Sequence, residues 1–170
     1  MTDVEVTESV IQGLGVFATR DFATGERVRR VNIVREVTDG APVREEVGER
    51  IEHCGYPNGK VVLWGFPDRH VNHSCEPNAW EAYEGRAIYI VARRRIAAGE
   101  EITFDYLVNN SGGDSWPCNC GSRRCIGDTA ADGFFGLPQQ RQIEYLPLLA
   151  DWFVAMHRDR IEALRQRAGH

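Results

Sequence analysis

The apolar rhythm of an amphipathic helix, with a period near 3.6 residues, is confined in this 170-residue chain to the stretch after Pro138. There Ile143, Leu146, Leu149, Trp152, Phe153 and Met156 recur at three- and four-residue steps, followed by Ile161 and Leu164. Pro147 is placed to start or kink the main helix of this tail. Before Pro138 the apolar residues come in short runs. Residues 4–12 and 26–37 alternate Val and Ile with polar neighbours, and 60–66, 86–92 and Glu101–Leu107 also read as strands. Thr24-Gly25-Glu26 and Ala98-Gly99 read as turns, residues 38–50 as a loop or short helix, and 109–117 as a flexible connector. A doubly wound α/β fold alternates strands and helices, so this order excludes it. The expected class is mainly β with C-terminal α-helices.

The length suits about one domain. With 42% hydrophobic residues the chain can build a core without disulfides. No apolar run approaches the ~20 residues that span a bilayer. Asp3, Glu5 and Glu8 are the opposite of a basic signal-peptide start, so a cytoplasmic protein is expected, or a nuclear one if the source is eukaryotic. The formal net charge of −5 makes direct nucleic-acid binding an unfavoured reading, since that needs a concentrated positive face. The run Arg93-Arg94-Arg95 is better read as a solvated face than as a contact for nucleic acid.

Five cysteines, an odd number, argue against a disulfide framework. Cys118, Cys120 and Cys125 lie within eight residues, around Gly121. Cys-x-Cys-x4-Cys places three thiolates on a tight turn, whereas a structural zinc site takes four ligands at about 2.3 Å. Cys75 and Cys54 are both open as the fourth.

Three further motifs carry chemistry. Gly13-Leu14-Gly15-Val16-Phe17-Ala18 fits the dinucleotide fingerprint by pattern, but the helix that fingerprint needs does not follow, so a glycine-rich strand bend is the better reading. Asn72-His73-Ser74-Cys75-Glu76-Pro77-Asn78 reads as a loop whose side chains cap backbone groups. Gly99-Glu100-Glu101-Ile102-Thr103-Phe104-Asp105-Tyr106 reads as a hairpin strand with an aromatic end.

Taken in order, the four motifs resemble those of the SET-domain protein-lysine methyltransferases over roughly residues 4–127, and the Asn-His-Ser-Cys-x-Pro-Asn heptad is the most specific of them. The tail from Gly133 is similar to the helical extension of small bacterial members. The resemblance implies a β-clip fold with a knot-like crossing. It also implies a SET domain over 4–108, a post-SET zinc-binding segment over 114–128 and a helical extension over 133–168. By the same resemblance Cys75 joins Cys118, Cys120 and Cys125 on a structural Zn²⁺, and Cys54 is left as a free thiol.

The implied cofactor is S-adenosyl-L-methionine, contacted by Leu14, Gly15, Val16, Phe17, Asn72, His73 and Tyr106, with Gly121 closing over the adenine. The implied partner is a protein or peptide bearing a lysine. Tyr106 takes the family's channel-lining tyrosine position, and Phe104 the position that tunes how many methyl groups are added; phenylalanine there leaves room for two or three. The family's upstream channel tyrosine has no counterpart in Leu63-Trp64-Gly65-Phe66-Pro67-Asp68-Arg69, where Trp64 or Phe66 replaces it. The alternative to an enzyme is a catalytically inactive SET-like binding module stapled by zinc. For Trp152, Phe153 and Met156 three roles stand open: packing on the core, a homodimer contact, or a cover for the lysine channel.

Overall fold

The computed structural model describes residues 2–113, 115–129 and 131–169; Asp114, where the post-SET segment was expected to begin, lies outside them. The chain divides into two compact units, residues 1–73 with 77–104, and residues 74–76 with 105–170.

The first unit is three small sheets. Their strands are β1 (Val4–Glu8), β2 (Leu14–Ala18), β3 (Arg27–Arg30), β4 (Ile33–Val37), β5 (Cys54–Gly55), β6 (Val61–Trp64), β7 (Asn72–His73), β8 (Ala79–Glu84), β9 (Ala87–Ala92) and β10 (Glu101–Phe104). The sheet orders are β1-β2-β10-β7, β3-β9-β8 and β4-β6-β5. Pairing is antiparallel except between β10 and β7, where Thr103 sits beside Asn72 and Phe104 beside His73 in a parallel ladder. Val16, Phe22, Ile90, Ile96 and Ile102 are fully buried and form the core.

The expected strand over 26–37 is two strands on different sheets. The last expected strand stops at Phe104, three residues short of Leu107. Strand β8 had no clear pattern in the sequence, because Glu81 and Tyr83 stand opposite Ile90 and Ile88 and share their core-directed face. Two arginines of the run have carboxylate neighbours: Arg94 pairs with Glu100 at 2.6 Å and Arg95 with Asp21.

The second unit holds the cysteine segment and three helices, α1 (Gln139–Tyr145), α2 (Asp151–Met156) and α3 (Arg158–Ala168). Pro138 precedes α1, and Pro147 lies in a short 3₁₀ turn that separates α1 from α2, so the proline breaks the tail instead of starting its main helix. The longest helix is α3, which buries Ile161 and Leu164 and carries Arg165 and Arg167 in its last turn, where the helix dipole favours cations. Phe134, Tyr145, Phe153 and Ile161 are fully buried, and Phe134 meets Phe153 edge to face with centroids 5.7 Å apart. Packing within the tail is thus what Phe153 does. Among the described residues no helix is long and apolar enough to cross a membrane.

Candidate active site and metal centre

In the first unit the glycine motif is the end of the β1–β2 turn and the whole of β2. Gly13 has φ +51°, which a side chain tolerates poorly, and the Ser9 amide donates to its carbonyl at 2.9 Å. Gly15 is inside the strand, and a Cβ there would collide with the Glu101 carboxylate. The motif is therefore a strand bend held against a carboxylate, as its glycines suggested.

Glu101 is the hub of this region. It accepts from the Ser9 hydroxyl at 2.8 and 2.9 Å and from the Asn72 amide at 2.8 Å. Asn72 Nδ2 also lies 3.1 Å from the Leu14 carbonyl and 3.2 Å from the Gln12 carbonyl. Asn72 is consequently anchored to the glycine-motif turn and to β10 at once, through its donor end alone. His73 follows in the two-residue ladder with β10 and is buried.

The heptad splits by role. Its last residue, Asn78, is 2% exposed, donates to Glu100 at 2.9 Å and the Glu101 carbonyl at 2.7 Å, and accepts from the Thr103 amide at 2.9 Å. It is a strut that fixes β10. Phe104 is buried with its ring 5.8 Å from that of Trp64, whereas Phe66 is 60% exposed, so of the two aromatic residues offered by the sequence it is Trp64 that stands beside Phe104.

In the second unit Tyr106 lies 6.2 Å from the Trp116 ring. The cysteine loop is closed at its base, where the Thr129 amide donates to the Trp116 carbonyl at 2.9 Å and the Cys118 amide to the Gly127 carbonyl at 2.6 Å. Cys75, Cys118, Cys120 and Cys125 converge there, with all four Sγ atoms within 4.8 Å of one another. Cys75 and Cys118 are 3.7 Å apart, close to the roughly 3.8 Å edge of a tetrahedron with 2.3 Å metal–sulfur bonds. Donor type, number and spacing fit a tetrahedral ion such as zinc, and Cys54 is not in the group.

The thiols differ electrostatically. Burial pushes Cys75 and Cys118 up, holding them as thiols in the metal-free chain. Burial acts the same way on Cys120, yet a hydrogen bond with the Ser122 hydroxyl at 3.4 Å and the amides of Cys75 and Ser122 bring it down to about 6. Gly121, at φ +66°, forms the turn between Cys120 and Ser122.

Sequence reasoning did not single out Glu101, Asn78, Asp105 or Arg141. Glu101 and Asn78 were inside quoted motifs, but their partners lie many residues away. Asp105 is 3% exposed and accepts from the Tyr145 hydroxyl at 3.1 Å and the Leu107 amide at 3.0 Å.

Comparison with known proteins agrees with these features. The SET-domain family model matches residues 13–107, more than half of the chain, and the chain belongs to that family. It is 32% identical over 154 residues to a histone-lysine N-methyltransferase, H3 lysine-36 specific, of Candida albicans, covering 80% of this chain and 18% of the relative. The Mycosarcoma maydis protein of the same name is 40% identical over 137 residues (74% of this chain, 14% of the relative). Human histone-lysine N-methyltransferase 2B is 34% identical over 134 residues (72% and 5%). The chain thus spans under a fifth of the length of these curated relatives. Among solved structures, a candidate histone methyltransferase of Plasmodium falciparum aligns with a TM-score of 0.52 at 18% identity, covering 62% of this chain and 94% of that one. The last likeness is one of fold: a SET-like, mainly β architecture.

Proposed function

We propose that this chain is an S-adenosylmethionine-dependent protein-lysine N-methyltransferase. The observation that carries the reading is the anchorage of Asn72 to Leu14 and Glu101, which joins three of the family's motifs in one hydrogen-bonded cluster. The relatives' names make a lysine in a histone tail the first substrate to try. An inactive binding module is not favoured, because Asn72, His73 and Tyr106 are all retained.

S-adenosylmethionine, when bound, supplies an electrophilic methyl group on a sulfonium sulfur. Leu14, Gly15, Val16 and Phe17 would hold it through backbone groups, and Asn72, His73 and Gly121 would be further binding residues. Alignment is the protein's main contribution to in-line transfer. A free lysine is protonated at neutral pH, with a pKa near ~10.4, and must lose that proton before attack. The rings of Trp64 and Phe104 are an apolar wall that disfavours its ammonium form. The Tyr106 hydroxyl would orient the substrate amine, and water would carry the proton off. Cys75, Cys118, Cys120 and Cys125 would hold a zinc ion that staples the post-SET segment, here assigned to 114–128 between a SET domain of 4–108 and an extension of 133–168. The substrate protein is the one partner this chemistry requires; the place of action is the cytoplasm, or the nucleus in a eukaryote.

The test is incubation with labelled S-adenosylmethionine and a mixed pool of proteins including histones. Label transfer that is lost in Tyr106→Phe supports the enzyme. Folded, cofactor-binding wild-type protein that transfers no label refutes it.

A further inference from the structure

Arg141 is an anomaly in the second unit. It lies on α1 and is only 5% exposed. Its Nη2 donates to the Arg124 carbonyl at 2.6 Å, while Nε and Nη1 are buried with no hydrogen-bond acceptor. That one hydrogen bond goes to a neutral group. A guanidinium taken out of water without a negative counterpart is strongly destabilising, so the position needs a source of negative charge.

The neighbourhood indicates which. The carbonyl that Arg141 holds belongs to the residue bonded directly to Cys125. One helical turn on, Tyr145 shares the buried face of α1 with Arg141 and donates to Asp105 at 3.1 Å. The buried face of α1 is thereby linked to the cysteine centre through the Arg124 carbonyl, beside Cys125. Four thiolates around a divalent ion carry two negative charges in excess, and here Cys75 is buried and the other three cysteines are half-buried.

We propose that Arg141 is the counter-charge of the four-cysteine centre, so that α1 of the C-terminal extension sets how tightly that centre holds its metal. This rests on the metal reading above and gives the extension a role beyond its own packing. Arg141 touches neither metal nor thiolate; it acts by its charge and by its grip on the Arg124 carbonyl, which orients the backbone next to Cys125. Residues of this kind around metal centres typically alter affinity by about 10–100-fold.

The test uses the full chain loaded with zinc and titrated with a chromophoric chelator. Arg141→Met, which keeps length and removes charge, is expected to weaken zinc binding about tenfold or more, while Arg141→Lys stays within about threefold of wild type. A second measurement separates charge from packing. In the chelator-treated chain there is no metal–thiolate centre for Arg141 to balance, so removing its charge should leave the melting temperature unchanged or higher, whereas it should fall in the zinc-loaded chain. Equal zinc affinity in wild type and Arg141→Met overturns the inference. So does an equal loss of melting temperature with and without zinc, which would mean packing alone. A wild-type chain that takes up no zinc overturns the metal reading and this inference together.

Discussion

The Asn72 amide donates to the Glu101 carboxylate at 2.8 Å, and the same amide nitrogen stands 3.1 Å from the Leu14 carbonyl. One side chain thus ties β7 and β10 to the strand that carries the glycine motif. A hydrogen bond to a charged acceptor contributes about 1.5–3 kcal/mol, and its loss frees Asn72 to turn away from a bound ligand. Glu101→Ala is therefore expected to weaken S-adenosylmethionine binding about tenfold, measured by calorimetry. Glu101→Gln, which can still accept from Asn72 and can donate to the Ser9 hydroxyl, should recover most of that loss. Equal affinity in the alanine variant and wild type would show that the turn holds Asn72 without help.

Asn78 ends the same heptad but belongs to the framework. It makes three hydrogen bonds at 2.7–2.9 Å from a position that is 2% exposed. Asn78→Ala removes all three and strands the buried Thr103 amide, at a cost of about 3 kcal/mol. Urea unfolding should show that loss, while the cofactor affinity of the folded fraction changes little. A variant as stable as wild type would mean that Thr103 finds another acceptor.

The parts of the fold that are local in sequence were the legible ones. Val and Ile alternation gave β1, β6 and β9 within a few residues, and coordination chemistry demanded a fourth cysteine before the family resemblance pointed to Cys75. What was hidden depends on partners distant in the chain. The single expected strand over 26–37 breaks at Val31 and Asn32 because its halves join different sheets. Strand β8 lacked an apolar rhythm because Glu81 occupies its core-directed face. Glu101 looked like an ordinary strand residue, since Ser9 lies 92 positions away. Arg141 sits within the α1 turn pattern, and only its burial distinguishes it from the exposed arginines of α3.

Glu81 gives the protein a built-in pH response. Burial raises its carboxyl to about 7, against the pull of the Tyr83 hydroxyl, which donates at 2.6 Å. An unfolded glutamate titrates near ~4.3. The folded chain holds this proton more tightly than the unfolded one, so the stabilisation is complete below the unfolded value and is lost as pH rises to about 7. Between those limits the melting temperature should fall with rising pH, and Glu81→Gln should flatten the slope and be the more stable protein at pH ~8. An unchanged slope in Glu81→Gln would assign the pH response to another group.

Phe104 bears on the number of methyl groups transferred. Its ring is buried, with the Trp64 ring centroid 5.8 Å away, and phenylalanine itself brings no hydroxyl to the position. A phenol at this position would bring an O–H that can hold water beside the substrate amine and crowd a nitrogen already carrying one methyl group. In the proposed reaction, wild type is expected to give di- and trimethylated lysine, and Phe104→Tyr to stop largely at one methyl with the first transfer slowed less than about tenfold, or about 1.4 kcal/mol of barrier. Intact-mass analysis of the product over time separates the two. An identical product distribution from both proteins would show that the size of the site is set elsewhere, with Trp64 the next residue to vary.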